Sequence, residues 1–155
     1  MIWKPNVVVA AIIEREGRYL VVEETDDEGR LVINQPAGHL DHGETLIDAV
    51  KRETLEETGW HFEPQGIVGL YLLPKPGSDI SYFRVCFHGA ALKHDPESPL
   101  DHGIVKVCWY TRAELLERKN MLRSALVITC IDDYQRGQRY PLDILHHITS
   151  PDHVC

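Results

Sequence analysis

The sequence predicts an α/β domain in which a mixed β-sheet lies between α-helices. Three observations lead there. Short runs rich in Val, Ile, Tyr and Phe recur along the chain. Stretches of helical length without Gly or Pro interrupt and follow those runs, and no linker, repeat or low-complexity tract divides the 155 residues. A chain of this length can bury a core of its own, so residues 1–155 read as a single domain.

The elements follow in order. Residues 7–13 and 19–22 are β-rich, and Glu14-Arg15-Glu16-Gly17-Arg18 between them is a polar, glycine-containing connection that suits a hairpin. A second turn signal is Asp26-Asp27-Glu28-Gly29. Residues 45–58 lack Gly and Pro, Thr45-Leu46-Ile47-Asp48 has the form of a capping box, and Gly59 supplies a C-terminal stop, so this stretch predicts a helix. Residues 67–73, 80–92 and 104–110 read as further strands, separated by Pro74-Lys75-Pro76-Gly77-Ser78-Asp79 and by the polar residues 93–102. Residues 111–118 and 124–136 predict two more helices, the second ending at Gly137.

Composition narrows the function classes. No apolar run approaches the roughly 20 residues of a membrane span, and the start of the chain lacks the basic and apolar pattern of a secretory signal. The expected location is the cytoplasm. The formal net charge of -8, without a Lys/Arg cluster, argues against polymeric nucleic acid as a partner. An acidic protein still binds small phosphate esters when a divalent cation stands between its carboxylates and the substrate. Cys86, Cys108, Cys130 and Cys155 are widely spaced and read as reduced thiols. The histidines, including His146, His147 and His153, match no zinc spacing and read as surface residues. A monomer is expected, with a dimer as the alternative.

At about 100° per residue, Glu53, Glu56 and Glu57 share one face of the first helix with Leu46, Ala49 and Val50. Three carboxylates at the edge of a core repel one another and lose hydration, which favours protonation or a hard cation held by oxygen ligands. A solvated acidic face would have the same spacing. Upstream, Gly38-His39-Leu40-Asp41-His42-Gly43-Glu44-Thr45 has the glycine spacing of a phosphate-binding loop, but Glu44 stands where the lysine would be. Such a loop can hold a metal through carbonyls and acids, although it cannot grip phosphate through a lysine.

Taken together, Gly38, Glu44 and Arg52-Glu53-Thr54-Leu55-Glu56-Glu57-Thr58-Gly59-Trp60 resemble the Nudix box from end to end. Thr54 and Trp60 depart from the aliphatic residues usual there, both at packing positions. The resemblance implies the Nudix fold over nearly the whole chain, and it decides against a merely solvated acidic face. Four stretches outside the box resemble NudJ-type bacterial Nudix phosphatases: Val21 to Thr25, Gln35 to Leu40, Leu122 to Val127 and Gly137 to Leu142. That subgroup removes single phosphates from thiamine diphosphate, hydroxymethylpyrimidine diphosphate and nucleoside di- and triphosphates. Shared packing and turn sequence would account for the same stretches.

Carried over by position, the resemblance makes Glu53, Glu56, Glu57 and the Gly38 carbonyl ligands of Mg²⁺, with Mn²⁺ as a substitute. Arg52 and Glu44 would pair to hold the carboxylates in place, and Glu56 or Glu57 fits a ligand role better, leaving Glu53 as a base. Related enzymes place another acid in the loop before the strand bearing Trp109. Here Gly103 stands at that place, and Asp101 is either a substitute or an ordinary loop residue. Arg84 and Tyr82 are candidate substrate contacts, although strand aromatics are commonly core. The same is true of Trp3 and Trp60. Two rival functions remain: a Nudix enzyme acting on ADP-ribose or mutagenic nucleotides, and a non-catalytic module that senses a nucleotide or metal.

Overall fold

A run such as Val7-Val8-Val9-Ala10-Ala11-Ile12-Ile13 offers no polar face to water, so a strand built from it must be covered on both sides. The computed structural model, which describes residues 1–149, covers it in that way. In chain order the elements are β1 (Asn6–Ile12), β2 (Glu14–Arg15), β3 (Arg18–Thr25), β4 (Leu31–Asn34), β5 (Ala37–His39), α1 (Leu46–Thr58), β6 (Trp60–Pro74), β7 (Ser81–His94), β8 (Ile104–Thr111), α2 (Arg112–Glu117) and α3 (Leu126–Gln135). Two short 3-10 turns, Lys119–Met121 and Leu142–Ile144, flank α3.

The expected mixed sheet has the order β5-β1-β7-β6. β1 and β7 run parallel, whereas β5 and β6 join antiparallel. A second, antiparallel sheet centres on β3, which pairs with β2, β4 and β8. Alternation along β1 divides the core. Val9, Ala11 and Ile13 pack with Ala49 and Val50 of α1, together with Ile67, Val85 and Phe87. Ala10 and Ile12 face the other way, towards Leu115 of α2 and Val127, Cys130 and Ile131 of α3. The sheets therefore lie between helices, as the sequence predicts, and each fully buried Val or Ile contributes roughly 1.5–3 kcal/mol of transfer free energy.

α1 has the expected ends. The Thr45 side chain accepts a hydrogen bond from the Asp48 amide at 3.0 Å, and Gly59 closes the helix with a left-handed φ of 75° while its amide donates to the Leu55 carbonyl. Within the helix, Thr54 is fully buried and its hydroxyl donates to the Val50 carbonyl at 2.7 Å. The odd residue of the box is thus satisfied by its own helix.

Some boundaries differ from the sequence expectation. β4 and β5 are too short to show a period, and residues 31–39 gave no strand signal. β6 begins at Trp60 instead of Ile67, because Pro64 and Gly66 break the strand pattern in sequence but sit at an irregularity in the β6–β7 register. β7 continues to His94, two residues past the expected end. His88 corrects the surface reading of the histidines: it is half-buried beside Gly66, and burial holds its pKa below the ordinary value. His146 and His147 are exposed, and His153 lies outside the described residues. Cys86, Cys108 and Cys130 are buried free thiols, and Cys155 also lies outside the described residues. No helix among the described residues is long and apolar enough to cross a membrane.

Candidate active site

Helical periodicity turns the apolar face of α1 acidic after Val50, and the fold leads that acidic half to the start of β5. Gly38 of β5 lies so close to the Glu53 carboxylate that a Cβ at position 38 would fall within it. Only a glycine leaves that space. One turn on, Glu57 is 4% exposed. Its Oε1 accepts a hydrogen bond from the Ala37 amide at 3.2 Å, while Oε2 is buried with no partner.

Arg52 gathers the remaining acids. Its Nε and Nη2 donate to the two Glu44 oxygens at 3.0 and 2.6 Å. Nη1 reaches Glu53 Oε1 at 2.8 Å and Glu56 Oε2 at 3.2 Å, and Nη2 also donates to the His39 carbonyl at 3.0 Å. The Asp41 amide donates to Glu44 at 2.7 Å, which fixes the loop that carries both. The planar fork of Arg suits this geometry, since it offers several directed donors at once.

Carboxylate oxygens of Glu53, Glu56 and Asp101 lie within 4.8 Å of one another. The Asp101 amide donates to the Glu56 carbonyl at 2.9 Å, which ties the loop before β8 to the helix. Asp101, and not Gly103, brings an acid from that loop to the cluster. Burial pushes the Glu53 carboxyl up to about 7, against the opposing hydrogen bond from Arg52. Glu57 is pushed well above the carboxylate range, first by burial and then by the charges of Glu24 and Glu53. Glu44 moves the other way, held down by the Arg52 hydrogen bonds.

This arrangement fits a divalent cation. Its donors are oxygens, which hard cations prefer, and Glu57 Oε2 is a buried acceptor without a donor. Two crowded carboxylates carry a desolvation cost that a cation removes.

A cavity of about 620 Å³ adjoins the cluster through Gly38. Its walls include Glu24, Asn34, His39, Tyr82, Arg84 and Arg123. Tyr82 is half-buried and meets the His39 ring edge-on at 6.4 Å. Arg84 is 6% exposed, and its Nη1 donates to Gln35 Oε1 at 2.6 Å. Both candidate substrate contacts thus line one space. Trp60 does not: it packs against Trp109 and His94 beneath Arg15. Trp3 is exposed, with its indole N–H donating to the Asp79 carbonyl. Asn34, Glu24 and Arg123 were not singled out from sequence, although three of the four stretches outside the box, through Glu24, residues 37–39 and residues 123–126, converge on this cavity. The fourth is packing, since Gln138 donates to the Val68 carbonyl and Tyr140 bridges to Ile67.

Comparison with known proteins agrees with this geometry. The NUDIX domain family matches residues 3–129. The phosphatase NudJ of Escherichia coli K12 is 40% identical over 149 residues, 96% of this chain and 95% of its own. A NUDIX hydrolase from Nitrosomonas europaea superimposes with a TM-score of 0.91 at 45% identity, covering 94% of this chain and 98% of that one. A MutT NUDIX hydrolase from Burkholderia pseudomallei shares the fold, with a TM-score of 0.72 at 18% identity over 84% of this chain and 98% of that one.

Proposed function

The chain belongs to the Nudix hydrolase family, and from that premise we propose that it removes the terminal phosphate from thiamine diphosphate, hydroxymethylpyrimidine diphosphate and nucleoside di- and triphosphates. Mg²⁺ is the proposed cofactor, and Mn²⁺ can replace it. The observation that carries this reading is the junction at Gly38, which touches the Glu53 carboxylate and also lines the cavity. A phosphoanhydride can therefore place its reacting phosphate at the acids and the rest of the molecule in the cavity.

Glu53, Glu56, Glu57 and the Gly38 carbonyl are the ligands we assign to the cation, with Asp101 as a further donor. When bound, the cation supplies positive charge that neutralises phosphate oxygens. Arg52 and Glu44 do not touch substrate in this scheme; they hold the carboxylates at a fixed spacing. Glu53 would hold the cation through one carboxylate oxygen, and its other oxygen accepts the proton of the attacking water as the new oxygen–phosphorus bond forms. The bond from the outer phosphorus to the bridging oxygen breaks, and phosphate departs. Arg84 and Tyr82 hold the remainder of the substrate, in a cavity within the roughly 300–1,000 Å³ range of small-molecule sites.

Phosphorus NMR of a progress curve tests the bond that breaks. Thiamine diphosphate should give thiamine monophosphate and inorganic phosphate, and a nucleoside triphosphate should give the diphosphate before the monophosphate. Accumulation of pyrophosphate, or hydrolysis confined to ADP-ribose, would overturn the phosphatase reading. Full activity in excess chelator would overturn the cation's role.

A further inference from the structure

Arg84 carries a positive charge that the cluster chemistry does not use. It is 6% exposed, its Nε is buried without an acceptor, and among the described residues no carboxylate lies within ion-pair reach of it. Its one strong partner is the neutral Gln35 amide oxygen, and beside it lie the Cys86 and Cys130 thiols, which are weak acceptors. A guanidinium does not shed its proton in a protein, so the charge persists. Burying such a charge without a counter-ion is costly, and a bound anion would offset that cost.

Among the described residues the other partly buried charges of the cavity wall are paired, while Asp27, which makes no ion pair, is exposed. Arg123 pairs with Glu24 at 2.6 Å and Arg30 with Asp26 at 2.9 Å. Among the described residues Lys75 has no acid partner either, but it is exposed, which leaves Arg84 as the buried unmatched cation of the wall.

Ser124 and Ala125 of the same wall lead into α3, a helix of ten residues whose N-cap is Ala125 and whose first residue is Leu126. The Leu126 amide is capped by Ser124 Oγ at 3.2 Å. Among the described residues the Ser124 and Ala125 amides have no acceptor. Free amides at the positive end of a helix attract an anion. Asn34, also 6% exposed, lines the cavity with an Oδ1 that has no donor. Turned about its last torsion, that amide offers an N–H₂ donor in the same space.

We propose that Arg84, the Ser124 and Ala125 amides and Asn34 form a phosphate subsite that holds a phosphoryl group of the substrate other than the one that departs. This rests on the phosphatase reading above and deepens it. The substrate would be recognised by two phosphoryl groups, one at the acidic cluster and one at the start of α3. The ring beyond them would be held less strictly.

Inorganic phosphate tests the subsite without turnover. Titrated into the cation-free, ¹⁵N-labelled protein, it should move the Ser124 and Ala125 amide resonances. Arg84→Gln should weaken phosphate binding about tenfold or more, as loss of a charged hydrogen-bond donor does. Ala125→Pro removes one amide donor at a φ of -58° that proline adopts, and it should weaken binding with Arg84 intact. Unmoved Ser124 and Ala125 amides, or unchanged affinity in a folded Arg84→Gln variant and in Ala125→Pro, would overturn the subsite. Release of phosphate from diphosphates alongside that result would leave the phosphatase reading standing. Phosphate binding at Ser124 and Ala125 in a protein that releases only pyrophosphate would separate the two the other way.

Discussion

The Arg52 guanidinium clasps both oxygens of the Glu44 carboxylate, at 3.0 and 2.6 Å, while its third nitrogen reaches Glu53 and Glu56. Glu44 itself lies outside the acidic cluster. The pair thus links the loop after β5 to the helix carboxylates, and in the proposed scheme it sets how far they stand from β5. Arg52→Ala should lower turnover by about 10–100-fold, the usual cost of losing an orienting partner of metal ligands. Arg52→Lys should recover only part of it, because an ammonium cannot clasp both Glu44 oxygens and still reach Glu53. Steady-state kinetics with circular dichroism as a fold control would check both, and unchanged kinetics would show Arg52 to be a surface charge.

Glu57→Gln separates charge from shape. The amide oxygen can still accept from the Ala37 amide, so the fold should persist. Turnover should fall by about a hundredfold or more if the carboxylate holds the cation. In cation-free buffer at neutral pH the variant should melt at a higher temperature than the parent, since folding no longer has to bury a charge or take up a proton at this position. A melting curve of the pair with and without Mg²⁺ reads both effects.

Gly38→Ala is a small change at a crowded point. Its Cβ would fall within the Glu53 carboxylate and force it off α1's inner line. Activity should drop by roughly 10–100-fold with a matching loss of cation affinity, and Mn²⁺ binding followed by electron paramagnetic resonance would measure the second. Affinity and activity equal to the parent would mean that Glu53 need not lie against β5.

Glu53 and Glu57 both have folded-state pKa values above the ordinary value, Glu53 at about 7. The folded chain therefore binds these protons more tightly than the unfolded chain does. The Glu53 contribution to stability is fully present below the unfolded value of 4.5 and is lost as pH rises through about 7, and that of Glu57 is likewise present at low pH and lost as pH rises. The cation-free protein should lose stability from about pH 5 to about pH 8, and the rise in Tm on adding Mg²⁺ should grow over the same interval. A Mg²⁺ effect that shrinks with pH would contradict this assignment.

The sequence alone determined the family, the helix of the cluster and the face of it that Glu53, Glu56 and Glu57 share. The reason is that Thr45, Gly59 and the spacing of Glu53, Glu56 and Glu57 act through local geometry, which a 3.6-residue period reveals. It could not bound β6, because Pro64 and Gly66 signal a break, and only the pairing with β7 reveals that β6 bulges there and continues. Nor could it find β5, whose three residues exist as a strand through pairing with β1.

Asp101 marks the limit most clearly. In sequence it is an acid in a polar loop, where an Asp is more often simply a turn residue. It becomes a cluster member because its amide bonds to the Glu56 carbonyl, a contact between residues 45 positions apart in the chain. Arg84 is the converse case: the sequence offered it as a substrate contact, and only the fold decided that it would be buried without a counter-ion. Periodicity and motif spacing are properties of one segment, whereas desolvation and the matching of charges depend on every segment that packs around a group, and these tertiary structure alone decides.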